Sequence, residues 1–159
     1  MKAIECLKYG EVENLVLSNV KKPTAKANEV LIKIHATSVT TSDVLIRRMN
    51  EPFIPKLILQ LIFGFGRPRN PVLGMVTAGV VERKGKDVTL FEIGDEVFAY
   101  GSISPTKRRF GSYAEYICLP EDWNLALKPV NLSFEEAAAI PYGGLLASHL
   151  LKKTSINKD

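Results

Sequence analysis

A six-residue turn, Ser38-Val39-Thr40-Thr41-Ser42-Asp43, gathers four hydroxyls and one carboxylate. Each hydroxyl can donate one hydrogen bond, accept others and hand a proton onward, whereas an ionised carboxylate only accepts. On residue types alone the same turn reads as a helix start. Thr41 or Ser42 would be the N-cap, Asp43 would suit the first turn of the helix dipole, and Val44 to Met49 would form a short helix. Few other side chains could do chemistry. A zinc site needs a close tetrahedral set of Cys and His ligands. This chain has two Cys, Cys6 and Cys118, and two His spread along its length, with no Cys-x-x-Cys. No metal is expected.

The elements that position the turn are strands. Asn28-Glu29 leads into a strand over Val30 to Val39, where Val30, Ile32, Ile34 and Ala36 alternate with Leu31, Lys33, His35 and Thr37. A period of two assigns the first set to the core and His35 to the solvent face. Lys2 to Tyr9, closed by Gly10, and Val16 to Val20 read as earlier strands. Pro71 to Tyr100 organises the rest: an apolar run over Leu73 to Val81, a charged turn at Arg83 to Asp87, a tight turn at Glu92 to Asp95, and a strand over Val97 to Tyr100. Gly79 inside the first run predicts a bend or a close backbone approach. The loop over Gly101 to Gly111 is expected to be mobile. Ser112 to Pro120 is the next strand, with Cys118 packed in it, and Trp123 to Pro129 is a short extended segment.

Two helical regions complete the pattern. Leu57, Ile58, Leu61, Ile62 and Phe65 recur at helical spacing within Pro52 to Phe65 and make one apolar stripe. Three uses of it are open: packing on the domain's own core, walling an apolar substrate pocket, or meeting a partner chain or membrane surface. Ser133-Phe134-Glu135-Glu136 is a capping box opening a helix that runs to Pro141, and Leu145 to Lys153 reads as a second helical segment beyond Gly143-Gly144. The fold class is mainly β with short helices, α+β.

Length and composition bound the function. At 159 residues, 46% hydrophobic and 24% charged, the chain suits one ordinary globular domain with a trailing segment. The net charge of +4 is mild. Part of it lies in Arg67-Pro68-Arg69 and Lys107-Arg108-Arg109, which read either as solvated loops or as an attraction for an anionic ligand such as a cofactor phosphate. No aromatic-basic face accompanies the charge, so no nucleic-acid partner is expected. Two distant Cys argue for a reducing compartment, and no signal peptide or bilayer-spanning run is read, so a cytoplasmic protein without a membrane partner is expected.

Leu73-Gly74-Met75-x-x-Ala78-Gly79-Val80-Val81, then Val88-Thr89-x-Phe91 and Gly94-Asp95-x-Val97, resemble the medium-chain dehydrogenase/reductase family. Gly111-x-Tyr113-Ala114-Glu115-Tyr116 and the run Leu132 to Pro141 match the same family closely. The resemblance is to its N-terminal, GroES-like domain and covers nearly the whole chain. It implies a GroES-like, partly open β-barrel over residues 1–132. Residues 133–159 would form a helical extension linking toward a nucleotide-binding domain. No Gly-x-Gly-x-x-Gly occurs in the sequence, so the turn that grips a dinucleotide pyrophosphate is missing and this chain alone should hold cofactor poorly.

The resemblance also implies chemistry. Zinc-dependent members hold their metal at positions that here are Thr40, Met75 and Val76, none of which can supply the family's Cys, His and Glu ligands. The zinc-independent branch, which the helix, the basic-proline linker and Leu73-Gly74-Met75 resemble, moves hydride from NADPH or NADH to a quinone or an α,β-unsaturated carbonyl. Such an acceptor is already activated by conjugation and needs orientation and a dry pocket rather than a Lewis acid. In that branch the turn commonly carries Asn where this chain has Thr40. The implied roles are a hydrogen bond from Thr40 to the nicotinamide or the acceptor carbonyl, proton relay at Ser42, and fixing of the turn by Asp43. Tyr142, Gly143 and Leu146 would meet the nicotinamide, two adjacent glycines permitting close backbone approach. The partner is then a small-molecule acceptor, with self-association through Leu57, Leu61 and Phe65 as a further expectation. The rival reading is a non-enzymatic binding module of the same fold. A zinc alcohol dehydrogenase is disfavoured.

Overall fold

The middle strand of a five-stranded antiparallel sheet is β4, Val76–Lys84. The computed structural model describes residues 1–103 and 107–153. β4 pairs on one side with β3, Glu29–Ala36, and on the other with β5, Glu96–Tyr100. β6, Tyr116–Pro120, adds to β3, and β7, Asn124–Leu127, adds to β5, giving the order β6-β3-β4-β5-β7. A separate two-stranded sheet joins β1, Lys2–Cys6, to β2, Leu15–Asn19. Isolated bridges from Ala3 to Ala114 and from Glu5 to Val72 tie it to the approaches of β6 and β4. The result is the partly open, GroES-like barrel expected from the sequence.

Alternation along the strands makes the core. Val30, Ile32, Val81, Val97, Ile117 and Leu119 interdigitate with Val88 and Phe91 from the turn region, all buried. The pattern in β3 is less clean than a period of two predicts, because Leu31 is buried as well and Ile34 only partly. β3 ends at Ala36 rather than Val39, and β1 ends at Cys6 rather than Tyr9. Gly79 has the role its place in a strand predicts. A Cβ there would stand 2.1 Å from the Lys33 carbonyl oxygen, beside a register shift between Ile34 and Ala36.

Three helices flank the barrel. α1, Thr41–Arg48, follows the hydroxyl turn, and Arg47 Nη1 donates to the Gly10 carbonyl near its C-terminus. α2, Phe53–Phe63, turns Leu59 and Phe63 inward onto Cys6, Ile46, Met49 and Leu73. Leu57, Ile58, Leu61, Ile62 and Phe65 are instead all exposed, so the stripe does not pack on the domain's own core. Lys56, Leu59, Gln60 and Phe63 are the covered positions, one turn apart on the opposite side. α3, Phe134–Lys153, begins at the expected capping box, with Ser133 N donating to Glu136 Oε2 at 2.8 Å and Glu136 N to Ser133 Oγ at 3.1 Å. Two helical segments separated at Gly143-Gly144 are not what forms. α3 is one helix with Pro141 inside it. Pro141 lacks only the N–H that would have bonded the Ala137 carbonyl, while Ala137 and Ala138 are anchored against Val76 and Ala78.

The loop over Gly101 to Gly111 is held at its base. Gly101 N donates to Met75 O and Arg109 N to Gly101 O, each at 2.6 Å, and Ser102 bridges Arg108. Arg109 also reaches the buried Glu29, Nη2 to Oε1 at 2.7 Å. The base of the loop is thus tied to Met75, just before β4, and to Glu29 in β3, and positions 104–106 lie outside the described residues.

Candidate active site

Thr40 is the N-cap of α1, in place of Thr41 or Ser42. Its backbone is extended, and Asp43 at the third helical position folds back upon it. Asp43 Oδ2 accepts from Thr40 N at 2.9 Å and from Thr40 Oγ1 at 2.7 Å. Thr40 and Asp43 are both buried. A threonine hydroxyl has one proton, and here Asp43 takes it. Thr40 Oγ1 is thereby left with lone pairs only. It can accept from an amide N–H, but while the bond to Asp43 stands it cannot donate to a carbonyl. Of the two roles assigned to Thr40 from the sequence, only one is compatible with this geometry.

Ser42 lies at the second helical position, half-buried, and meets α3. Its Oγ stands 3.4 Å from the Tyr142 hydroxyl, across a hundred residues of chain. Tyr142 in turn packs edge-on against Tyr100, ring centroids 6.0 Å apart. Burial, then the Tyr142 hydroxyl and Asp43, push Tyr100 above its ordinary range against an opposing pull from Arg108. Among the described residues the buried Tyr113 hydroxyl and Asp43 Oδ1 have no hydrogen-bond partner. Burial first, and Asp43 second, raise Tyr113 far above the ordinary tyrosine range. Thr40, Ser42, Asp43, Tyr100, Tyr113 and Tyr142 thus share one electrostatic neighbourhood at the start of α1. Tyr100 and Tyr113 were not singled out from the sequence, where they read as the end of one strand and as part of a family signature.

Gly143 and Leu146 follow Tyr142 on α3 and are exposed. A Cβ on Gly143 would meet nothing within 4 Å, so this face is open. Zinc is not matched. Thr40 Oγ1 donates its hydrogen bond to Asp43, and Met75 and Val76 offer a thioether and an isopropyl group. Among the described residues no three His, Cys, Asp or Glu side chains are grouped to hold a metal ion. His35 takes the solvent-side place expected for it, stacked on Phe134 at 4.4 Å. Cys6 and Cys118 are free and buried.

Gly74, at the centre of Leu73-Gly74-Met75, holds the far wall of the site. It has φ +83°, and a Cβ would lie 2.3 Å from Ser112 Oγ and 2.6 Å from the Tyr113 ring. Its carbonyl accepts from Gly111 N and Ser112 N. Thr37 Oγ1 donates to Val76 O at 2.7 Å and lies 3.0 Å from Ser112 Oγ. The signature residues of both motifs are therefore packed against each other.

Residues 26–129 match the family model described as the alcohol dehydrogenase GroES-like domain. The chain belongs to that family. Within it the chain is a quinone-oxidoreductase-like member of the medium-chain dehydrogenases/reductases. It is 37% identical over 145 residues to the quinone oxidoreductase of Sus scrofa, covering 89% of this chain and 38% of that protein. It is 34% identical over 160 residues to the chloroplastic NADPH-dependent alkenal/one oxidoreductase of Arabidopsis thaliana, covering 99% of this chain and 38% of that protein. The quinone oxidoreductase structure from Coxiella burnetii superposes with a TM-score of 0.80 at 31% identity, over 99% of this chain and 46% of that one. The chain thus spans less than half the length of these GroES-like relatives. No helix among the described residues is long and apolar enough to cross a membrane.

Proposed function

We propose that this chain forms the acceptor-side part of a zinc-independent, NAD(P)H-dependent oxidoreductase acting on a quinone or an α,β-unsaturated carbonyl. The observation that carries the reading is the meeting of Ser42 Oγ and the Tyr142 hydroxyl at 3.4 Å, next to the Thr40–Asp43 pair. Reduction of such an acceptor takes a hydride, supplied by the nicotinamide when bound, and a proton. The two hydroxyls are placed to pass that proton along a hydrogen bond. Thr40 Oγ1, fixed as an acceptor, orients a carboxamide N–H. Tyr142, Gly143 and Leu146 offer the face on which the ring lies. Relatives named as NADPH-dependent and as quinone oxidoreductases support the cofactor and the acceptor class. The free, buried Cys6 and Cys118 are in keeping with a reducing compartment, the cytoplasm.

Absorbance of NADPH, followed with benzoquinone and with hexenal as acceptors, tests the reading. We expect background rates from these 159 residues alone and acceptor-dependent oxidation once they are fused to a nucleotide-binding domain. Turnover by the chain alone would contradict the first expectation, and an inert fusion that binds NADPH would sink the second.

A different observation favours a second reading, a binding module that self-associates. α2 directs Phe53, Ile54, Leu57, Ile58, Leu61 and Ile62 outward, and Phe65 just beyond its end is exposed as well. So many large apolar side chains on one short helix exceed the scattered exposure usual on a monomer. Sedimentation at rising concentration is expected to show a second copy joining through this face, and Leu57→Asp with Leu61→Asp is expected to abolish it. A monomer at every concentration would remove this reading.

A further inference from the structure

Two arginines far apart in the sequence, one from each basic cluster, line one apolar pocket. Its volume is about 410 Å³, within the range of small-molecule sites. Ile46, Ile62, Phe63, Leu73 and Phe110 give it apolar walls, and Arg69 and Arg108 stand among them. Among the described residues no acidic side chain lines it. The Arg108 guanidinium lies over the Phe63 ring, 5.3 Å from its centroid, and has no carboxylate partner among the described residues. Arg69 uses one N–H on the Leu61 carbonyl at 2.9 Å, at the end of α2, and its remaining donors are uncommitted among the described residues. Two guanidinium groups beside an apolar wall, with no acid to neutralise them, favour an anion carried on an apolar body.

One wall of the pocket comes from the helix that carries Ser42. Ile46 is one turn beyond Ser42 on α1, on the same face. Arg108 also acts on Tyr100, which packs against Tyr142.

We infer that this pocket binds the acceptor by its remote end: an apolar body against Phe63 and Phe110, with a carboxylate or similar anionic group held between Arg69 and Arg108. That the bound molecule is the acceptor rests on the oxidoreductase reading above. That the pocket prefers an apolar anion does not. The other source of an anion is a cofactor phosphate, which carries no apolar body to fill these walls.

Binding to the 159-residue chain, followed by amide chemical shifts, separates these cases without any turnover. The probes are phenylbutyrate, its neutral amide phenylbutyramide, and NADPH. Phenylbutyrate is expected to bind about tenfold more tightly than the amide and to shift Phe63 and Phe110. Arg108→Ala should bring the two probes to near equality by weakening the acid alone, and Arg108→Lys should restore part of the preference. Arg69→Lys is the milder test on the other side, because lysine keeps the charge and can still reach a carbonyl. Equal binding of acid and amide by the unaltered chain overturns the proposal. So does absence of shifts at Phe63 and Phe110, an acid preference unmoved by Arg108→Ala, or NADPH displacing phenylbutyrate from these residues. If the fusion protein fails to oxidise NADPH while the acid preference persists, the function is wrong and the pocket stands.

Discussion

Ser42 and Tyr142 bring their hydroxyls to 3.4 Å although a hundred residues separate them. The contact joins the first turn of α1 to the middle of α3, so one hydrogen bond ties the hydroxyl turn to the helix that carries Tyr142, Gly143 and Leu146. Removing the Tyr142 hydroxyl isolates the proton-relay role from packing. In an active fusion, Tyr142→Phe is expected to lower kcat by about a hundredfold while leaving the KM for NADPH near its starting value. The fold should lose less than about 1 kcal/mol, since the hydrogen bond is long and partly exposed. Equal kcat in the two proteins would exclude the relay.

Asp43 predicts a contrast. Its Oδ2 serves two donors of Thr40, and both residues are buried. Asp43→Ala should cost about 1–3 kcal/mol in urea unfolding, through the lost cap and an unsatisfied amide. Tyr113→Phe, which removes a buried hydroxyl that has no partner, should leave stability unchanged or raise it. A large loss in Tyr113→Phe would mean that its hydroxyl is satisfied in solution.

The Lys22–Glu82 pair gives an acid-side dependence. Lys22 Nζ lies 2.5 Å from Glu82 Oε1 and over the Tyr116 ring. The hydrogen bond from Lys22 holds the Glu82 carboxyl below the ordinary glutamate range. A depressed folded-state pKa stabilises above the unfolded value and ceases to do so as pH falls through the folded one. The melting-temperature gap between the unaltered chain and Glu82→Gln should therefore be present at neutral pH and close in acid. Because both side chains are about one-third exposed, the gap should also shrink in high salt.

Cys118 gives the opposite dependence. Burial, and next the charge of Glu29, push its thiol up to about 11 from an ordinary 9.0. A raised folded-state pKa stabilises fully below the unfolded value and is lost as pH climbs from about 9 to about 11. Cys118→Ala should flatten the alkaline fall in stability over that window. In the folded chain at mildly alkaline pH, Cys118 should resist alkylation by iodoacetamide and become reactive in urea. Rapid labelling of the folded chain would show that the strand β6 opens locally.

Much of this architecture was legible because strands announce themselves locally. Val97 to Tyr100 and the capping box at Ser133 needed only their neighbours, and Gly79 needed only its place in a strand. What depended on three dimensions was harder to read. Thr40 took the cap from Thr41 and Ser42 because Asp43 lies three positions into a helix that starts one residue earlier. Gly143-Gly144 suggested a break, but tertiary anchoring of Ala137 and Ala138 carries α3 through Pro141. The stripe on α2 has helical spacing whichever side faces the barrel, and periodicity gives no sign of which side is covered. The meeting of Ser42 with Tyr142, and the placing of Arg69 and Arg108 on one pocket, leave no trace in local pattern at all.

The strand order β6-β3-β4-β5-β7 bears on how the chain is made. β3 is flanked by the next strand of the chain, β4, and by one that comes later still, Tyr116–Pro120. On the ribosome, β3, β4 and β5 can assemble while one edge of β3, rich in Val30, Leu31 and Ile32, still has no neighbour. An open apolar edge invites pairing with another nascent chain. A product that ends before Tyr116 should therefore be retained by chaperones, whereas one that runs past Leu127 should be released with both edges of β3 paired.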